Sequence, residues 1–221
     1  ILERTLFHAG NSYFIPNVRA RGISCRTNLA PFTAYRGFGG PQAMFVLESA
    51  IFQAAERMGT DPAELQRKNL LSEGDSFPYG QRTRNCLARR CFDEAVSGFD
   101  LTSVRNRVQR YNRENILSKK GLALMPVCFG ISFTSRHLNQ AGALVHVYTD
   151  GSVAVSSGAV EMGQGVNRKI LSVASRTLGV VEERIRIEST CTRRVANTSP
   201  TAASTGADLN GKAVELACGE I

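Results

Sequence analysis

The stretch Tyr35-Arg36-Gly37-Phe38-Gly39-Gly40-Pro41-Gln42 leads directly into an amphipathic helical pattern. Its glycines let the backbone approach a ligand closely, because no Cβ blocks the way. A helix start offers free N–H groups and partial positive charge to an anion. The stretch therefore predicts a site for a flat, anionic, phosphate-bearing ligand, with an ordinary glycine turn as the alternative. Pro41 has no N–H, which makes this helix start a poorer phosphate site.

Composition and charge narrow the class of protein. The chain has 221 residues, of which 43% are hydrophobic and 21% charged, as expected for one large or two modest globular domains. The net charge is +8, but the basic residues are scattered and the aromatic residues do not alternate with them. Solvated faces or an acidic partner chain explain this charge better than a nucleic-acid groove. The longest apolar run is far shorter than the roughly 20 residues that span a bilayer.

Cysteine usage and the chain ends suggest a cytoplasmic piece of a larger polypeptide. No two of the six cysteines form a CxxC pair, and the three histidines lie far from them in sequence, so we do not expect a structural zinc site. Free thiols in a reducing cytosol are the expected state. The chain begins at Ile1 and stops at Ile221 inside a helical pattern, so we expect it to be excised from a longer protein.

Helical periodicity dominates the first part of the chain. We predict extended, turn-rich backbone over residues 12–36 and a helix over 41–58, which Pro41 begins and Gly59 ends. A second helix start follows at Asp61-Pro62-Ala63-Glu64. Further predictions are a polar loop over 71–90, helices over 91–99 and 101–115, and a linker over 117–120.

The period becomes strand-like after residue 120. We predict a buried strand over 121–133, a hairpin of 143–148 and 152–157 around Asp150-Gly151, and a strand over 184–189. Helices are predicted over 165–178 and from Ser204 onward. The layout is α+β, with a domain boundary near residue 120.

Two further segments precede helical patterns as a ligand loop would. In Glu161-Met162-Gly163-Gln164-Gly165, two glycines frame an amide that offers a donor and an acceptor to a heterocycle edge or an oxo group. In Asn197–Ser204, small residues and hydroxyl groups permit close approach and hydrogen bonds to phosphate. A tight turn and a capped loop are the structural alternatives. Three such helix starts in one chain favour a ligand site.

As a set, several blocks resemble the molybdenum-cofactor-binding portion of the xanthine dehydrogenase/xanthine oxidase family. The blocks lie in the family's order and cover nearly the whole chain: Arg4–His8, Arg36–Gln42, Phe129–Thr134, Leu138–Ala143, Glu161–Gly165 and Thr201–Ser204. The resemblance implies that residues 1–120 are the end of the first molybdopterin-binding domain. It implies that residues 121–221 are the start of the second.

The resemblance also implies a role for each matching residue. Arg4 matches a catalytic, substrate-binding arginine that stabilises negative charge on a purine, and aldehyde oxidases usually lack it. Phe38 and Phe133 match two phenylalanines that hold the flat substrate. No residue is expected to bind the metal directly, although Arg36 and Ala203 are expected near molybdenum. The implied cofactor-binding residues are Arg36, Gly37, Phe38, Met162, Gly163, Gln164, Ala203 and Ser204.

The implied activity is oxidative hydroxylation of a purine carbon in xanthine or hypoxanthine, with oxygen derived from water. The cofactor would be molybdopterin with molybdenum, and 2Fe-2S clusters and FAD would lie on other domains or subunits of a dimeric parent enzyme of purine catabolism. The family's catalytic glutamate lies beyond Ile221, so we expect the isolated segment to be inactive. An aldehyde or other N-heterocycle oxidase, or a non-catalytic basic module that binds an anionic ligand or partner, remains the alternative.

Departures from the family pattern lie beside the implied cofactor residues. Val160 stands where threonine is common, and Gly206 and Ala207 stand where hydroxyl residues often occur. Affinity for the cofactor is therefore expected to differ from that of other family members.

Overall fold

Local sequence signals set the ends of several helices. The helix over Gly40–Met58 has Pro41 in its first turn and ends at Gly59, whose φ of +64° is the left-handed conformation that glycine adopts without strain. The helix over Pro62–Asn69 begins after Asp61, whose carboxylate accepts a hydrogen bond of 2.8 Å from the amide of Ala63. Both helices confirm the predicted ones.

The computed structural model describes residues 1–195 and 198–221, and these form two compact units, Ile1–Phe129 and Gly130–Ile221. The helices of the first unit are α1 (Leu2–Phe7), α2 (Gly40–Met58), α3 (Pro62–Asn69), α4 (Ala88–Gly98) and α5 (Leu101–Glu114). The elements of the second unit are 3₁₀ helices at Arg136–Leu138 and Glu182–Arg184, β1 (Ala143–Val147), β2 (Val153–Ser157), α6 (Val166–Leu178), β3 (Ile185–Ile187) and α7 (Gly206–Gly219). The mixture confirms the α+β class.

The first unit packs around a small core beneath α2. Tyr13, Leu70 and Phe92 are buried there, and Leu47 and Ile51 of α2 lie against them. The helix pattern predicted the apolar face of α2 but not α1, a six-residue helix without a capping side chain at its start. Helix α1 packs on α2, so tertiary contact stabilises it more than local propensity does.

The strand predicted over residues 121–133 is wrong. This segment is irregular, and side-chain amides bind its main-chain groups in place of a neighbouring strand. Asn11 Nδ2 donates to the carbonyl of Pro126 at 2.7 Å, and Asn11 Oδ1 accepts from the amide of Cys128 at 3.0 Å. Gln66 Nε2 donates to the carbonyl of Leu124 at 2.7 Å. Pro126 also has no N–H for a ladder, so an apolar run did not become a strand.

A buried carboxylate, Glu48 on α2, joins these amides to the core. Its Oε1 accepts from the hydroxyl of Tyr13 at 2.7 Å and from Asn11 Nδ2 at 3.3 Å. Its Oε2 accepts from Gln66 Nε2 at 2.7 Å. Burial, and then the bond to Glu48, raise the pKa of Tyr13 above its usual range, so this hydroxyl stays a donor.

The second unit is a three-stranded sheet covered by two helices. Strands β1 and β2 pair antiparallel through the predicted Asp150-Gly151 turn, and β3 pairs parallel to β2 after the α6 crossover. All five residues of β2 are buried. Helices α6 and α7 pack together, and Ile170 and Val214 are fully buried in the core with Val155 of β2.

Within the described residues, no helix is both long and apolar enough to cross a membrane.

The assignment of residues 1–120 and 121–221 to two molybdopterin-binding domains stays a prediction.

Replacing Glu48 with glutamine is expected to destabilise the first unit by about 2 kcal/mol, because the new amide hydrogens would face buried donors. Native-state hydrogen exchange of the full-length protein, followed at Cys128 and along α3, would measure the loss of protection. Glu56→Gln is the matched control, because Glu56 lies exposed on the same helix. Equal protection in the two variants would contradict the role given to Glu48.

Candidate functional site

The glycine-rich loop of the first unit turns through left-handed backbone conformations, of which only that of Phe38 is strained. Gly37, Phe38 and Gly39 all have positive φ angles, of +88°, +42° and +107°. The loop is closed by hydrogen bonds from the amide of Phe38 to the carbonyl of Tyr35 and from Gly40 to Gly37. A β-carbon on Gly39 would clash with the backbone of α1, so this glycine is required for packing as well as for its φ.

The loop leaves its chemically useful groups accessible. The side chain of Phe38 is 44% exposed, and Arg36 is exposed beside it. An exposed aromatic ring next to a cation and a glycine backbone suits a planar anionic ligand. The N-cap residue of α2 is Gly39, which has no side chain to cap the helix start.

Arg4 lies on α1 within an aromatic cluster that the sequence reasoning missed. Its guanidinium carbon is 5.8 Å from the ring centroid of Phe129. The ring of His8 lies 4.7 Å from the same centroid, and His8 Nδ1 is 2.7 Å from the carbonyl of Arg4. The one sequence signal is the position of Phe129 at the head of the Phe129–Thr134 block, in which the resemblance implies a role for Phe133 alone.

In the second unit, Glu161 fills the start of α6 with its own carboxylate. Oε1 accepts from the amides of Gly163 and Gly165 at 2.9 Å each, and Oε2 accepts from Asn167 at 3.0 Å. These backbone hydrogen bonds, that of Asn167 first, lower the pKa of Glu161. The N–H groups at this helix start are therefore already bound by the protein's own carboxylate and are not open to an external anion.

Gln164 is turned back onto its own loop. Its Oε1 accepts from the amide of Met162 at 2.5 Å, and its Nε2 donates to the carbonyl of Val160 at 2.7 Å. The amide thus holds the loop, while Met162 is 66% exposed and Gly163 lies beside it. A ligand at this loop would meet the Met162 side chain and the glycine backbone before it met a free amide.

The start of α7 differs from that of α6. Ala203 and Ser204 both adopt left-handed conformations, with φ of +54° and +57°, and Thr205 follows as the N-cap. Thr205 Oγ1 donates to the carbonyl of Ala202 instead of capping the helix. The side chain of the N-cap residue Thr205 thus makes no capping hydrogen bond to this helix start. The amides of α7 are thus the better candidate for an anion.

The fold brings Phe133 close to this helix start, although the two lie far apart in sequence. The amide of Ser132 donates to the carbonyl of Ala203 at 2.9 Å. Asn139 then holds Phe133 from both sides: its Oδ1 accepts from the amide of Phe133 at 2.8 Å, and its Nδ2 donates to the carbonyl at 2.9 Å. Sequence reasoning missed this use of Asn139.

In the predicted Asn197–Ser204 segment, some hydroxyl groups are used in hydrogen bonds within the protein. Asn197 lies outside the described residues. Thr201 Oγ1 accepts from the amide of Val160 at 2.9 Å, and Ser199 Oγ accepts from the amide of Gln140 at 3.3 Å. Of the hydroxyl groups predicted for a phosphate, Ser204 remains exposed beside α7.

Within each unit, backbone strain is concentrated in the segments predicted to bind a ligand. Of the seven non-glycine residues with positive φ among those described, Asn11, Asn85 and Asp100 are types that tolerate the left-handed region. The other four lie in the segments singled out above: Phe38, Ser132, Ala203 and Ser204. Each costs about 1–3 kcal/mol unless its surroundings hold it. Such strain is typical of ligand-binding loops.

The described residues contain no group of three or more His, Cys, Asp or Glu side chains placed to hold a metal ion. Separately, the backbone donors at α7 and the exposed loops suit an organic ligand with an anionic end.

Family models described as "Molybdopterin cofactor-binding domain" match residues 1–70 and 94–221. Xanthine dehydrogenase/oxidase of Gallus gallus is 47% identical over 218 residues, which are 99% of this chain and 16% of that protein. Xanthine dehydrogenase of Drosophila pseudoobscura pseudoobscura matches with the same identity and the same coverage. The chain thus spans about a sixth of the length of these curated relatives.

Solved structures share the fold. The aldehyde oxidoreductase of Desulfovibrio desulfuricans superposes with a TM-score of 0.82 at 28% identity, covering 98% of this chain and 24% of that one. The quinoline 2-oxidoreductase of Pseudomonas putida 86 gives a TM-score of 0.81 at 22% identity, covering 96% of this chain and 29% of that one, and this likeness supports the fold alone.

The Glu161 carboxylate is expected to make protection of the α6 start depend on pH. Since its pKa is lowered, its stabilisation is complete above the ordinary carboxyl range and is lost as pH falls through the lowered value. Hydrogen exchange at Gly163, Gly165 and Asn167 should therefore be faster in Glu161→Gln than in the unmodified protein at neutral pH, with the difference vanishing in acid. Glu183→Gln, at another exposed glutamate of this unit, should change nothing. A pH-independent difference would refute the assignment.

Proposed function

Because the chain belongs to the family of molybdopterin cofactor-binding domains, we propose that its parent protein is a xanthine dehydrogenase-type molybdenum hydroxylase. The reaction would be oxidative hydroxylation of a purine carbon, in xanthine or hypoxanthine, with oxygen derived from water. The observation that carries this proposal is the placement of strained, non-glycine backbone at Phe38, Ser132, Ala203 and Ser204, in the segments that match the family.

The residues present fit a phosphate-bearing pterin. Ala203 and Ser204 place their backbone at the uncapped start of α7, where N–H groups suit a phosphate. Met162 and Gly163 offer an exposed loop edge, and Gln164 holds that edge by its two hydrogen bonds. We also assign Arg36 and Gly37 of the first unit to the cofactor. We place Arg36 and Ala203 near the metal.

When bound, the molybdenum cofactor would supply the oxygen transfer and accept the two electrons. The chain's own residues would orient the substrate and stabilise charge. Phe38 and Phe133 would hold a planar heterocycle through their ring faces and edges. Arg4 would stabilise the negative charge that builds on the purine, and a fixed cation acts most strongly where water is excluded. The glutamate that serves as base in the family would come from outside this chain.

Electrons would leave through 2Fe-2S clusters and FAD on other domains or subunits, in a dimeric, cytoplasmic parent enzyme. This part of the proposal rests on the resemblance alone. By the same reasoning, the segment expressed on its own would retain neither molybdenum nor activity. Metal analysis and a hydroxylation assay would test this, and clear turnover by the segment would contradict it.

Aldehyde oxidation is the second candidate, because the fold matches an aldehyde oxidoreductase at 28% identity. Arg4 favours the purine, since the resemblance places this arginine in purine-oxidising members and not usually in aldehyde oxidases. The third candidate, suggested by the net charge, is a non-catalytic basic module that binds an anionic ligand or partner. This candidate predicts that the parent protein contains no molybdenum.

In the parent holoenzyme, Arg4→Met is expected to lower kcat with xanthine by about 10²–10³-fold, because one preorganised charge stabiliser is lost. Oxidation of a neutral aldehyde should change little. Steady-state kinetics with both substrates, normalised to molybdenum content, would measure the effect, and Arg57→Met at an exposed position of α2 is the control. Equal loss with both substrates would contradict the role of Arg4.

A further inference from the structure

Phe129 lies where it contacts the arginine of the proposed site directly. Arg4 Cζ is 5.8 Å from the Phe129 ring centroid, within the distance at which the negative face of an aromatic ring attracts a guanidinium. The ring is half-buried. Partial burial strengthens the attraction, because less water screens it. The ring is thus able to hold the charged end of Arg4 in one place.

His8 supports the same ring from α1's C-terminal end. It is buried, and its imidazole lies 4.7 Å from the Phe129 centroid with an angle of 31° between the ring planes. Its Nδ1 lies 2.7 Å from the carbonyl of Arg4, and because a carbonyl only accepts, Nδ1 carries the proton. One imidazole therefore braces the Phe129 ring and binds the backbone of Arg4.

Gly40 leaves the space that the ring needs. A β-carbon at Gly40 would lie 2.5 Å from Phe129 Cε2 and 3.1 Å from Cδ2, which is closer than side chains tolerate. Gly40 has an ordinary negative φ, so it is required here by packing and not by backbone conformation. The ring is therefore held on one side by His8 and on another by the start of α2.

We propose that Phe129 is a positioning residue that holds the Arg4 guanidinium over its ring and thereby sets the preference for substrates that become anionic during reaction. This inference rests on the proposed function. An arginine has many rotamers, and restricting them before the substrate binds makes its charge available without reorganisation. Phe129 is not proposed to touch the substrate.

The experiment uses the parent holoenzyme with Phe129→Leu, which keeps an apolar side chain but has no aromatic face. We expect kcat with xanthine to fall about tenfold, a typical size for a partly buried cation–π contact, with KM changing less. Turnover of benzaldehyde, a neutral aldehyde, should stay the same. Phe129→Tyr should restore xanthine turnover, because its ring retains the negative face. Phe32→Leu is the matched control, because Phe32 is 84% exposed in the same unit.

A double variant separates positioning from general damage. In the Arg4→Met background, Phe129→Leu should cause no further loss with xanthine, since the two residues act as one unit. Should Phe129→Leu not yield folded enzyme, Phe129→Met replaces it in every comparison. Equal losses with xanthine and benzaldehyde, or additive losses in the double variant, would overturn the inference alone. A lack of xanthine turnover by the unmodified, molybdenum-loaded enzyme would instead overturn the proposed function and the inference with it.

Discussion

The buried carboxylate of Glu48 is the interaction on which the first unit depends. It draws donors from Asn11, Tyr13 and Gln66, and the two amides also bind main-chain groups of residues 124–128. This carboxylate thereby links α2 and α3 to two further segments, residues 11–13 and 124–128. These two segments lie more than 100 residues apart in sequence. Such a network stabilises one arrangement, because the loss of a member removes hydrogen-bond partners from its neighbours where water does not replace them. The segment that ends at Phe129 is placed by it.

Much of the fold could be predicted because its signals are local. Pro41 and Gly59 mark the ends of α2, and Asp150-Gly151 marks the hairpin that α6 and β3 follow. The 121–133 segment could not be predicted, because Asn11 and Gln66 bind it from distant parts of the sequence. An apolar segment has the same sequence pattern whether its main-chain groups bind a neighbouring strand or distant side chains.

The candidate site was predictable as a set of segments but not as a set of contacts. The glycine pattern around Phe38 and the small residues near Ser204 identified two loops that the structure presents accessibly. The contacts of other candidate residues could not be predicted from the sequence. Asn139 holds Phe133 by two backbone hydrogen bonds, and Phe129 lies against Arg4. Side-chain amides and rings in such places have no periodicity, so only the folded arrangement identifies them.

The carboxylate of Glu161 has a consequence for how a ligand is received. Because it already binds the amides of Gly163, Gly165 and Asn167, the loop before α6 is ordered before any ligand arrives. A ligand that docks against an ordered loop loses less free energy to immobilising it than one that must fold the loop around itself. The loop before α6 therefore offers a preformed surface to any ligand that binds it.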